Sequence, residues 1–195
     1  MNLRILTAAT VGAAVLGLTA CTSASHRAEA DELGDRLRDL PGVETVEVDY
    51  VEPELLDSAD VDVAVVMTGD ADPEQVAAVF ETTYAGLVDA HADEEGNLTV
   101  RWDDDELTLR TFESEADPAD VADAAQVGAE VAASHRRVYL NVMTQDVRES
   151  PHVKSLVLLR LPAGTEAVDR RRVRDEIAAA YGDRSVVVDV RIRAR

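Results

Sequence analysis

Ala71-Asp72-Pro73-Glu74-Gln75-Val76-Ala77 announces the start of a helix, and Ala116-Asp117-Pro118-Ala119-Asp120-Val121-Ala122 repeats the announcement 45 residues later. In each, an Asp can accept hydrogen bonds from the free N–H groups of the first turn, and Pro at the first helical position forfeits no bond. In the first, Gln75 completes an Asp-x-x-Gln capping box. Val76, Val79, Phe80, Tyr84, Leu87 and Val88 follow at helical spacing. Each helix runs towards a His, His91 and His135, and each is followed by two stretches of strand character.

Working outward, residues 27–40 place Ala30, Leu33, Leu37 and Leu40 on one helical face, and Pro41-Gly42 stops them. Val43, Val46, Val48 and Val51 mark a strand, an acidic loop spans 53–60, and residues 61–67 alternate as a second strand. Residues 97–102 and 107–112 read as a hairpin turning at Asp103-Asp104-Asp105-Glu106. The second half repeats the plan with strands at 138–143 and 155–161, joined by a polar loop through 145–154. A helix follows from Thr165 with Val168, Val173, Ile177 and Ala180 as its stripe, then a strand carrying Val186, Val188, Val190 and Ile192. The order is α-ββ-α-ββ-α-ββ-α-β. Helices on one face of a mainly antiparallel sheet are the α+β solution for burying both apolar surfaces. The arrangement resembles a permuted ferredoxin-like plait built from repeated α-β-β units, divisible into two related halves, 27–115 and 116–195.

The first 23 residues, MNLRILTAATVGAAVLGLTACTS, carry a different message. Arg4 precedes an uncharged apolar run of about 14 residues, too short to cross a hydrocarbon layer of roughly 30 Å as a stable helix. A positive start, a short apolar core and small residues at the end make an export signal. Leu18-Thr19-Ala20-Cys21 resembles the lipobox of bacterial lipoproteins. The resemblance implies that residues 1–20 are removed and that Cys21 takes a diacylglyceryl thioether as the mature N-terminus. Cys21 is the only cysteine, so no disulfide competes for it. Two acyl chains meet the two-signal requirement for stable anchoring, at roughly 0.8 kcal/mol per buried methylene. Residues 21–26, ending at His26, read as the lipidated Cys and a small, polar tether. The expected location is the extracytoplasmic face of the cell membrane.

The chain carries 39 acidic against 19 basic residues, net −20. Nucleic acid is therefore a poor partner, since binding it requires phosphate neutralisation. Residues 160–195 run the other way, with nine Arg against six acids, and the acidic remainder can hold them. No Gly-x-Ser-x-Gly elbow, His-Glu-x-x-His pair or glycine-rich phosphate loop occurs, so no catalytic residue is assigned and no cofactor is expected. Glycoside cleavage would need two carboxyl groups facing each other across a cleft, and 39 acids make sequence pairs uninformative. Oxygen-rich candidates for a cation are His91 and Asp93, in His91-Ala92-Asp93-Glu94-Glu95, and the run Asp103, Asp104, Asp105 and Glu106. Neither has EF-hand spacing, and consecutive carboxylates point apart. The sequence thus leads to a membrane-anchored envelope lipoprotein with a non-enzymatic interaction or structural role, partnered by the membrane through Cys21 and by an envelope protein. A cation- or small-solute-binding lipoprotein using the acidic loops is the alternative.

Overall fold

The computed structural model describes residues 25–53, 58–135, 138–144 and 153–192. The lipobox with Cys21 and most of the polar loop after residue 144 lie outside the described residues. In chain order the elements are α1 (Arg27–Arg38), β1 (Val43–Val51), β2 (Asp60–Met67), α2 (Pro73–Ala90), β3 (Glu95–Trp102), β4 (Asp105–Thr111), α3 (Pro118–Ser134), β5 (Val138–Met143), β6 (Lys154–Leu161), α4 (Ala167–Tyr181) and β7 (Val186–Ile192). Three α-β-β units and a final α-β follow one another. The fold class is α+β.

All seven strands form one sheet whose spatial order is the chain order, β1 to β7. Strands joined by a short link, β1–β2, β3–β4 and β5–β6, pair antiparallel. Strands joined through a helix, β2–β3, β4–β5 and β6–β7, pair parallel, because a helical crossover returns the chain to the end from which it left. The sheet is therefore evenly mixed, not mainly antiparallel as the sequence suggested. Each crossover also joins immediate neighbours, with no strand inserted between them, whereas the ferredoxin-like plait rests on split β-α-β units. The β4–β5 pairing carries the sheet unbroken from residue 27–115 elements to those of 116–195.

The α2 start forms as the sequence indicates. Asp72 accepts from the Gln75 N–H at 2.9 Å and the Gln75 side chain accepts from the Asp72 N–H at 3.0 Å. Asp117 accepts from the Ala119 N–H at 2.9 Å at the head of α3. Alternation then sorts the strands: Val61, Val63, Val65, Leu98, Val100, Leu107, Leu109, Leu140, Val142, Val157 and Leu159 are buried beneath the helices. Phe80, Tyr84 and Leu87 of α2 and Leu33 and Leu37 of α1 complete this core. α3 presents small residues to it, and a Cβ on Gly128 would meet the Leu140 side chain at 2.1 Å, so a larger residue there must displace Leu140.

In α4 the buried residues are Ile177 and Tyr181, with Val173 packed against the core, while Val168 is 56% exposed and Ala180 is exposed. The four-residue steps 173, 177 and 181 keep to one face at about 100° per residue, Val168 points almost directly away from it, and Ala180 lies at its edge beside Val173. Trp102 is buried in the β3–β4 hairpin. Among the described residues, no helix is long and apolar enough to cross a membrane.

Candidate functional site

The start of α1, the end of β1 and the turn from α2 to β3 meet at one end of the sheet. His26 is the N-cap residue of α1, Tyr50 is the penultimate residue of β1, His91 caps the C-terminus of α2, and Glu94 is in the turn that follows. That turn is closed by the Glu94 N–H donating to the His91 carbonyl at 3.0 Å, which puts the two side chains on the same side. The His91 Nδ1 hydrogen-bonds Glu94 Oε2. The Tyr50 hydroxyl donates to Glu94 Oε1 at 3.1 Å and accepts from the His26 backbone N–H at 3.2 Å. The His26 Nδ1 lies 3.4 Å from Glu94 Oε1.

His91 and Glu94 are only 2% and 6% exposed, and Tyr50 is 4% exposed. Burying a carboxylate and an imidazole together is tolerable when they have polar partners, and Glu94 accepts from Tyr50 and is hydrogen-bonded to His91. Burial raises the Tyr50 pKa above its ordinary value, opposed by the His26 N–H and aided by the Glu94 carboxylate, so the phenol stays a donor at neutral pH. Two buried nitrogens, His26 Nδ1 and His91 Nε2, have no hydrogen-bond partner. The rings of His26 and His91 stand edge to face, 5.6 Å between centroids. Arg27 fastens the rim: its guanidinium lies 5.4 Å from the centre of the Tyr50 ring, donates to the Tyr50 carbonyl at 3.0 Å and is 3.5 Å from Glu52.

The acidic candidates separate. His91 joins this cluster, but Asp93 beside it is exposed. Asp103, Asp104, Asp105 and Glu106 are at the far end of β3, roughly 25 Å away for eight residues at ~3.3 Å each. There they do local work. Asp103 takes the left-handed backbone of a tight turn at φ 49°, and Glu106 pairs with Arg101 at 2.7 Å. Asp105 is buried and accepts from the Val138 N–H. His26, read from sequence as part of the tether, is instead packed against the domain, its side chain 32% exposed. No local spacing could reveal that, since its partners are 24 to 68 positions along the chain.

A second feature is the sheet face turned away from the helices. Glu47, Asp49, Asp62 and Asn97 occupy its β1–β3 half, while Tyr139, Met143, Leu156, Leu158 and Val187 gather on β5–β7. The strand register brings the latter together, with polar residues among them: Tyr139 faces Leu158, which also faces Asp189, and Leu156 faces Asn141 on one side and Val187, which is 64% exposed, on the other. Lys154, Arg160 and Arg191 border them. On the helical side, Glu130, Ser134, His135 and Glu176 line a cleft of about 410 Å³ between α3 and α4.

The chain matches no protein-family model and no curated protein.

Proposed function

We propose that the protein is a cell-envelope lipoprotein, held on the extracytoplasmic face of the membrane by lipid on Cys21, whose α+β domain binds a partner protein of the envelope and catalyses no reaction. The observation that supports the binding role is the asymmetry of the open sheet face. One half is acidic and polar, as a surface meeting water should be. The other groups Tyr139, Met143, Leu156, Leu158 and Val187 on one face, with Asn141 beside Leu156 and Asp189 beside Leu158 among them and Lys154, Arg160 and Arg191 around them, an apolar patch studded with polar groups. Its complement is a partner surface with apolar side chains and polar groups that can meet Asn141 and Asp189. The recurrence of α-β-β units also supports descent of the two halves from one ancestral half.

The test is photo-crosslinking in intact cells from a reactive residue placed at Leu158, compared with one at Glu81, exposed on α2 in the helical layer. The proposal expects a discrete protein adduct from position 158, absent from position 81 and lost when Leu156→Asp is added. The same adducts from both positions, or none from 158, would overturn it.

A further inference from the structure

We propose that His26, His91 and Glu94 form a binding site for a divalent transition metal of the zinc class. One ring nitrogen of each His and a carboxylate oxygen of Glu94 lie within 4.8 Å of one another. Two imidazoles and one carboxylate are a donor set that zinc and its first-row neighbours accept, whereas calcium and magnesium take oxygen. Metal–ligand bonds of about 2.0–2.2 Å put the donor atoms of a tetrahedral site roughly 3.3–3.5 Å apart. The His26 Nδ1 and Glu94 Oε1 already stand at 3.4 Å. A ligand nitrogen must offer its lone pair, so the ion would replace the His91–Glu94 hydrogen bond if bound through Nδ1 and leave it in place if bound through the unpartnered Nε2.

The surroundings fit a built site. His91 is almost completely buried, yet its Nε2 has no partner, and the buried His26 Nδ1 makes no hydrogen bond although Glu94 Oε1 stands 3.4 Å from it. A buried, unpartnered polar atom calls for a group to satisfy it, and in ligating histidines one nitrogen binds the ion. Tyr50 donates to the Glu94 oxygen nearest His26, the kind of outer hydrogen bond that fixes a ligating carboxylate. Three protein ligands leave a fourth position for water or a further donor, and partial exposure of His26 gives the ion a way in. The ion would pin the first turn of α1, five residues after Cys21, to the turn between α2 and β3. Metal capture would thus stiffen the point at which the tether joins the domain, independently of what the open sheet face binds.

The experiment uses the full chain, purified without a polyhistidine tag and stripped with chelator, titrated with zinc in competition with a chromophoric chelator and with cobalt followed by its ligand-field absorption. One equivalent of zinc and a tetrahedral cobalt spectrum are expected, with no response to calcium. His26→Asn should weaken zinc at least ~10-fold, Asn being a good N-cap that keeps α1 intact, and Tyr50→Phe should weaken it about 10-fold. His135→Asn, at the end of α3, should leave it unchanged. Absence of zinc binding by the parent chain would overturn the proposal, as would zinc binding of equal affinity in the His26→Asn variant with its circular dichroism unaltered.

Discussion

The Asp105 Oδ1 accepts a hydrogen bond from the Val138 backbone N–H at 2.7 Å, and both residues are buried. One carboxylate of the acidic run at the β3–β4 turn thus fixes where β5 begins beside β4, and with it the parallel pairing that joins the two halves of the chain. Asp105→Ala leaves a buried N–H without this acceptor, and a loss of about 1–3 kcal/mol in unfolding free energy is expected. Asp105→Asn retains an acceptor oxygen and should recover part of it. Urea unfolding of both variants checks the order parent, Asn, Ala.

The reciprocal cap at Asp72 and Gln75 should contribute at the level of a single good N-cap. Asp72→Ala is expected to cost about 1 kcal/mol, and Asp72→Ser, which keeps an acceptor, much less. Equal losses in the two variants, measured by thermal or urea unfolding, would show that the side-chain acceptor is not what matters.

Close approach of α3 to β5 predicts intolerance at Gly128. A branched side chain there must displace Leu140, itself fully buried, so Gly128→Val should destabilise by about 1–3 kcal/mol through overpacking. Gly164, where a Cβ would meet nothing within 4 Å, provides the contrast in crowding, although its φ of 95° still disfavours a side chain. The measurement is the unfolding midpoint of Gly128→Val, with Leu140→Ala added: shortening the obstructing side chain should relieve part of the Val effect.

Alkaline pH should weaken the fold through its buried phenols. Burial pushes the Tyr181 hydroxyl well above its ordinary 10.0, against the opposing influence of Ser155 and Arg184, and burial moves Tyr50 and Tyr84 in the same direction. Above pH 10 the unfolded chain releases these protons while the folded chain keeps them. Stability is therefore fully present below that pH and falls as pH rises, by up to about 1.4 kcal/mol per pH unit for each such group. Tyr181→Phe should change stability little at pH 7 and make the decline between pH 10 and 11 shallower. An unchanged slope would remove Tyr181 from the account.

The elements were legible in the sequence because their signals are local. Asp72, Pro73 and Gln75 specify the α2 start within four residues, and the alternation of Val61, Val63 and Val65 specifies a half-buried strand. The sheet order was not legible, since the same helix-and-hairpin string is compatible with adjacent or split crossovers and only tertiary packing chooses. In α4, Val173 and Ile177 face the core as their spacing indicates, but Val168 lies in the first turn, where an apolar residue need not face the core, and Tyr181 in the last turn is buried where Ala180 is exposed. At the candidate site, His91 and Glu94 were visible as neighbours in an acidic stretch. His26 was not, because nothing near it in sequence indicates that α1 delivers it to a turn 65 residues away. The same non-locality concealed Asp105, whose partner is the backbone of Val138 and leaves no mark in side-chain sequence.

The reading of this chain as a tethered envelope domain rests most heavily on Cys21. Mass spectrometry of the mature N-terminal peptide, released from the membrane fraction, tests it directly. The account predicts a chain that begins at Cys21 and carries a thioether-linked diacylglyceryl group. A mature chain that retains residues before Cys21, or begins elsewhere with an unmodified thiol at Cys21, would contradict it.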